Sequence, residues 1–124
     1  MATRTRTKNA DDEPAATIST MANSDTNVAP MTIAEFQDLI RERYHATDAA
    51  RGVAPTFLWF AEEFGELAEA LAKQARGDGD PENLAEEFAD VLAWLATLAN
   101  VTDVDLTKAI HRKYIADGGP GGTK

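Results

Sequence analysis

The chain has 124 residues, no cysteine and a formal net charge of −9 at neutral pH. This length fits one domain, and the lack of cysteine excludes disulfides, thiolate catalysis and zinc sites built on cysteine. The acidic balance argues against a nucleic-acid partner, because a phosphate backbone binds to a basic surface. No apolar run reaches the ~18 residues of a membrane span and no secretory signal is recognisable, so a cytoplasmic protein is expected.

Both ends of the chain are poor in large apolar side chains. Residues 1–30 are rich in Thr, Ala, Asn and Asp, and residues 117–124 are rich in Gly. Neither stretch has the apolar surface that offsets the entropy lost when a chain becomes ordered. We therefore predict a disordered N-terminal tail over 1–30, a folded all-α domain over 31–116 and a flexible Gly-rich tail over 117–124.

The first two of four predicted helices have clear boundary signals. Thr32 and Glu35 form a T-x-x-E capping box at the start of the first helix, and a connection over residues 46–54 is expected to follow it. Pro55 suits the first turn of the second helix, which is predicted to end at Gly77.

The third and fourth helices follow after short loops. Asp80 is the expected N-cap of the third helix, which continues to about Asn100. Asp103 or Asp105 caps the fourth, which ends near Ile115. No segment alternates apolar and polar residues, so no sheet is predicted, and the short loops make consecutive helices antiparallel neighbours.

The second and third helices each carry an acidic segment with the spacing E-E-x-x-acid, at residues 62–66 and 86–90. Positions i and i+3 of a helix project from one face, so each segment can present two carboxylates side by side. Two facing pairs would bring four oxygen donors to one point, which suits a hard divalent cation. Metal-dependent phosphate chemistry is therefore the first functional hypothesis.

Helical periodicity predicts which of these acidic residues face the apolar side of each helix and which face away from it. The apolar stripe predicted for the second helix comprises Phe57, Phe60, Phe64, Leu67, Ala68, Leu71 and Ala75. That of the third comprises Leu84, Phe88, Val91, Leu92, Trp94, Leu95, Leu98 and Ala99. Glu62 and Glu86 point away from these stripes, whereas the positions of Glu63 and Glu66 are ambiguous. Glu87 falls inside its stripe.

A carboxylate among apolar residues is costly to bury unless a positive group compensates it. For Glu87 the compensation is either a metal ion or a basic side chain of the fourth helix (Lys108, Arg112 or Lys113). We favour the metal, because further acidic residues, including Asp90 at the edge of the stripe, can converge on the same point.

Residues 63–69 (EFGELAE) followed by 86–92 (EEFADVL) resemble the MazG-like nucleoside triphosphate pyrophosphohydrolases, whose signature is E-x-x-E, a spacer, and E-x-x-D. The resemblance covers residues 33–115. It implies an all-α protomer that assembles into a dimer or tetramer, and hydrolysis of a nucleoside triphosphate to the monophosphate and pyrophosphate. It also implies Mg²⁺, with Mn²⁺ as a substitute, bound by the residues that match the signature: Glu63, Glu66, Glu87 and Asp90.

Other residues have less specific expected roles. Glu62 is the nearest candidate for a general base. Lys113 matches a phosphate-binding lysine of the family, although the asparagine that often follows it is missing, and Arg112 is a weaker candidate. Trp59 could stack on a base or pack in a helix or subunit contact. A rival hypothesis is a non-catalytic acidic helical binding module that retains the same fold.

Overall fold

The computed structural model describes residues 27–121, and every regular element in that range is helical. The helices are α1 (Ile33–Arg51), α2 (Val53–Arg76), α3 (Pro81–Val101) and α4 (Leu106–Ile110), and α4 continues as a π-helical segment (His111–Ala116). Helices α2 and α3 share the largest contact, and α1 packs mainly on α3. The prediction of an all-α protomer with four helices is confirmed.

Most of the predicted N-terminal tail and the last three residues of the predicted C-terminal tail lie outside the described residues. Residues 1–26 and 122–124 are outside them, while 27–32 and 117–121 are described and contain no helix. Of the helices between residues 27 and 121, none combines the length and the apolar character needed to cross a bilayer.

The junction between α1 and α2 is a single residue, Gly52. The predicted connection over residues 46–54 was wrong, because α1 continues to Arg51 and α2 begins at Val53. Residues 46–51 are mostly helix-forming, so the helix ends only where Gly52 adopts φ 83° and ψ 177°, a conformation restricted to glycine. The capping box at the other end of α1 is confirmed: Glu35 N–H donates to Thr32 Oγ1 over 3.1 Å, and Thr32 N–H donates to Glu35 Oε2 over 2.7 Å.

A tight loop joins α2 and α3. Gly77 ends α2 in the left-handed conformation, and its N–H donates to the backbone carbonyl of Gln74. Asp80 caps α3 by accepting hydrogen bonds from the N–H groups of Glu82 and Asn83 over 3.1 and 3.3 Å. Both boundaries agree with the prediction. Because the loop is short, α2 and α3 form an antiparallel hairpin that brings their acidic segments together.

One glutamine of α1 fixes the start of α4. Gln37 is buried, and its side-chain amide nitrogen donates to the carbonyl of Val104 over 2.7 Å and to Asn100 Oδ1 over 3.1 Å. Its Oε1 accepts from the N–H of Leu106 over 3.0 Å. Asp105, one of the two predicted caps, accepts from the N–H of Lys108 over 2.9 Å.

A buried polar network holds the α1–α2 junction on α3. Asp48 is 1% exposed, and its two carboxylate oxygens lie 3.1 Å from Arg51 Nη2 and 3.1 Å from the Thr97 hydroxyl that donates to it. The Thr56 hydroxyl donates to the carbonyl of Gly52 over 2.6 Å and accepts from Arg51 Nη1 over 3.5 Å. These contacts fix the orientation of α2 relative to α1 at the Gly52 junction.

The core of the protomer is small and centres on Phe60 and Trp94, which pack with Val91, Ala93 and Leu98. Much of the predicted apolar stripe is instead exposed. The side chains concerned have exposures between 39% and 55%: Phe57, Phe64, Leu71, Phe88, Leu92 and Leu95. The buried residues of α2 are Thr56, Phe60, Glu63 and Ala70, and only Phe60 among them belongs to the predicted stripe.

Candidate metal centre

The antiparallel hairpin places four acidic side chains between α2 and α3. Glu63 and Glu87 are buried, with 4% and 2% of their surface exposed. Glu66 and Asp90 are half-buried. Their neighbours Glu62 and Glu86 are exposed, as predicted from the helical periodicity. Burial therefore distinguishes the four residues that match the signature from the two that do not.

Three of these side chains converge. Glu63, Glu66 and Glu87 each offer a carboxylate oxygen, and the three oxygens all lie within 4.8 Å of one another. The Oε2 atom of each is buried and accepts no hydrogen bond from the described residues. Oxygen donors at this spacing fit Mg²⁺ or Mn²⁺, because hard cations bind carboxylates and offset the repulsion between them.

The fourth predicted ligand, Asp90, is not part of the converging group that the described residues form. It follows Glu87 by three positions, so it projects from the same face of α3 about one turn further on. The structure therefore brings three of the predicted ligands together, and Asp90 follows Glu87 by one turn on α3.

A cavity of about 320 Å³ extends from the carboxylates towards the end of the hairpin. Glu66 and Glu87 form one side of it, and the remaining lining residues are Glu69, Ala70, Lys73, Asp80 and Asn83. No functional role was predicted for the residues at this end of the hairpin. The sequence did contain a signal for such a role: Glu66 and Lys73 are seven residues apart and therefore lie on one face of α2.

A second cavity, of about 340 Å³, contains two other predicted site residues, Glu62 and Trp59. Trp59 is 52% exposed. Its ring stacks on that of Trp94 with the centroids 6.4 Å apart and the planes at 13°. The Arg51 guanidinium lies 5.4 Å from the centroid of the Trp94 ring, within cation–π range. Trp94 is buried as predicted, and Trp59 has one face available to solvent.

The predicted phosphate-binding residues Arg112 and Lys113 lie on the π-helical segment that continues α4. Both are exposed, and Lys113 Nζ lies 5.7 Å from the centroid of the Tyr114 ring. Lys113 is in the last turn of this segment, where a positive charge interacts favourably with the helix dipole.

Taken together, the helices and the converging carboxylates define an all-α protein with a candidate divalent-metal centre between two antiparallel helices. The family model of the MazG nucleotide pyrophosphohydrolase domain matches residues 52–116, which hold α2, α3, α4 and the π-helical segment. This match covers more than half of the chain, and the protein therefore belongs to that family. A search of curated proteins found no significant match to the chain. The resemblance noted from the acidic signature is confirmed.

Proposed function

We propose that this protein hydrolyses nucleoside triphosphates to the monophosphate and pyrophosphate in a reaction that depends on Mg²⁺, with Mn²⁺ as a substitute. The observation that carries the proposal is the convergence of Glu63, Glu66 and Glu87 within 4.8 Å, in a chain of the MazG family. We further propose that it acts in the cytoplasm on non-standard or excess nucleotides.

The carboxylates between α2 and α3 hold the cation. Glu63 and Glu87 are buried on facing helices and fix two ligand positions, and the half-buried Glu66 lines the cavity together with Glu87. Asp90 joins them from one turn further along α3. When bound, the cation neutralises the phosphate chain and lowers the pKa of a coordinated water.

Glu62 is the proposed general base. It is exposed and adjacent in sequence to Glu63, and it lines the same cavity as Trp59. A carboxylate in contact with solvent can accept a proton from the attacking water and release it to bulk. We expect Glu62→Gln to lower kcat while leaving the affinity for Mg²⁺ within about twofold of the wild type.

Substrate contacts are proposed from two places, the exposed side of α2 and the π-helical segment. The exposed face of Trp59 offers a flat surface on which a nucleobase can stack, and Trp94 supports it from behind. Lys113 and Arg112 offer positive charge for the triphosphate from the exposed π-helical segment.

We also propose that the protein assembles as a homodimer or homotetramer. Six apolar side chains of α2 and α3 are between 39% and 55% exposed, and grouped exposed apolar side chains mark surfaces that associate with a partner. These side chains, which we call the apolar face, are Phe57, Phe64, Leu71, Phe88, Leu92 and Leu95. A second copy that packs on this face would complete the small core.

Two measurements on the full-length chain test the activity. Calorimetry with Mg²⁺ or Mn²⁺ measures metal binding, and a screen of nucleoside triphosphates for released pyrophosphate measures turnover and substrate preference. We expect Glu87→Gln to abolish metal binding and turnover, and Glu86→Gln, the exposed neighbour, to retain both. Failure of the wild type to bind either metal at millimolar concentration would refute the proposal and favour a non-catalytic binding module.

A further inference from the structure

The cavity beside the carboxylates contains one basic side chain, Lys73, among its lining residues. We propose that Lys73 binds the phosphate groups of the substrate that leave as pyrophosphate. This inference rests on the proposed function and assigns to Lys73 a contact with the substrate that is separate from Lys113 and Arg112.

The position of Lys73 connects it to the candidate metal centre. It follows Glu66 by seven residues, so the two side chains project from the same face of α2 two turns apart. Both line the cavity of about 320 Å³, together with Glu87 from α3. That volume corresponds to about ten water molecules, which is room for a diphosphate group next to the carboxylates.

The charges around the cavity determine when an anion can enter it. Four carboxylates line it, those of Glu66, Glu69, Asp80 and Glu87, against the single ammonium group of Lys73. A phosphate chain is repelled by this excess of negative charge until divalent cations neutralise it. Once they do, Lys73 supplies the positive charge among the side chains that line the cavity.

The present partner of Lys73 can be exchanged. Its Nζ lies 3.0 Å from Glu69 Oε1, in an i,i+4 pair whose side chains are 44% and 67% exposed. Ion pairs this exposed contribute little to stability, so their loss leaves the helix intact. A phosphate oxygen with greater negative charge, held by the cation on its other side, competes well for the flexible ammonium group.

The test measures binding of inorganic pyrophosphate to the full-length chain by calorimetry, with and without saturating Mg²⁺. We expect the wild type to bind pyrophosphate only with the metal, and Lys73→Gln to weaken that binding about tenfold, as expected for the loss of one charge-assisted hydrogen bond. The affinity for Mg²⁺ alone should not weaken. Arg76→Gln is the matched control, because Arg76 carries the same charge three residues later, is 61% exposed and pairs with Asp78.

One further variant, Glu69→Gln, separates phosphate binding from a merely structural ion pair. Glu69→Gln removes the competitor of the phosphate, so pyrophosphate binding should equal or exceed that of the wild type. A merely structural ion pair would instead make Glu69→Gln and Lys73→Gln behave alike. The inference is overturned by that result, by an affinity of Lys73→Gln within twofold of the wild type, or by an equal loss in Arg76→Gln.

The pyrophosphate calorimetry and the nucleotide screen together separate this inference from the proposed function. Pyrophosphate release from nucleotides by the wild type, with unchanged pyrophosphate affinity in Lys73→Gln, overturns the role of Lys73 alone. Absence of turnover on every nucleotide, with the expected loss of pyrophosphate affinity, refutes the proposed activity and supports the phosphate contact.

Discussion

Replacing Glu87 by Gln should have opposite effects on stability with and without Mg²⁺. The carboxylate oxygens of Glu63, Glu66 and Glu87 lie within 4.8 Å of one another, and Glu87 is 2% exposed. Two unit charges at that distance repel by roughly 3 kcal/mol at an effective dielectric constant of about 20. The variant removes one charge from two such pairs and gives the site an amide that can donate to the remaining carboxylates. We expect the metal-free variant to be about 1–3 kcal/mol more stable than the metal-free wild type, because solvent and neighbouring polar groups already offset part of the repulsion.

Adding Mg²⁺ should reverse this order. A ligand that binds only the folded state stabilises it by about 2.7 kcal/mol at a hundredfold excess over its Kd. For a domain of this size, each kcal/mol corresponds to about 4–8 °C in Tm. The wild type should therefore gain on the order of 10–20 °C in Tm, while Glu87→Gln, which has lost a buried ligand, should gain almost nothing.

Differential scanning calorimetry in EDTA and in millimolar MgCl₂ measures both effects. Protein concentration and ionic strength must be equal in all samples, because assembly and charge screening also change Tm. Glu86→Gln is the control: it makes the same chemical change at the exposed neighbouring position and should behave as the wild type. A lower metal-free Tm for Glu87→Gln, or a full Mg²⁺ response in that variant, would show that the three carboxylates are not a repulsive metal-binding group.

Three further substitutions, two of them paired with a control, test the buried network, the helix junction and the assembly. Asp48→Ala leaves buried partners without their carboxylate, so urea denaturation should show a free energy of unfolding about 3 kcal/mol lower. Asp38→Ala, on the exposed side of α1, is the control and should lower it by under about 0.5 kcal/mol. Similar losses in both variants would argue against the buried network. Gly52→Ala should destabilise the protein by about 1–3 kcal/mol, because φ at this position is 83°. Gly65→Ala, with no atom within 4 Å of its added Cβ, should stabilise the helix by roughly 0.5–1 kcal/mol. A destabilised Gly65→Ala variant would mean that another surface covers this residue. Phe88→Asp should reduce the assembly to a monomer in sedimentation analysis, and an unchanged mass would exclude the apolar face as the interface.

The helix boundaries were predictable where a capping side chain or a left-handed glycine satisfies nearby backbone groups. The capping box of Thr32, the Asp80 cap and the left-handed Gly77 all depend on residues within a few positions of each other. The junction at Gly52 was missed, because the six residues before it favour a helix and nothing local indicates an earlier end. Local chemistry thus identified the caps but not the length of α1.

The burial of a site residue was predictable only where the sequence of its own helix determines it. Glu87 was recognisable as buried because its own helix surrounds it with apolar residues. Glu63 was ambiguous, since its burial depends on which face of α2 packs on α3, and that is decided by the whole hairpin. Contacts between distant residues, such as the hydrogen bond from Thr97 to Asp48 across 49 positions, left no periodic pattern to detect.

The stacked indoles give the protein an intrinsic optical probe. Trp59 and Trp94 are the two tryptophans of the chain, one on α2 and one on α3, with rings 6.4 Å apart and nearly parallel. At that separation the electronic transitions of the two rings couple, so the near-ultraviolet circular dichroism depends on the distance and angle between them. The same two helices position the carboxylates, and no third indole contributes to the signal. Any change in helix spacing that accompanies cation or nucleotide binding is therefore observable in the unlabelled protein.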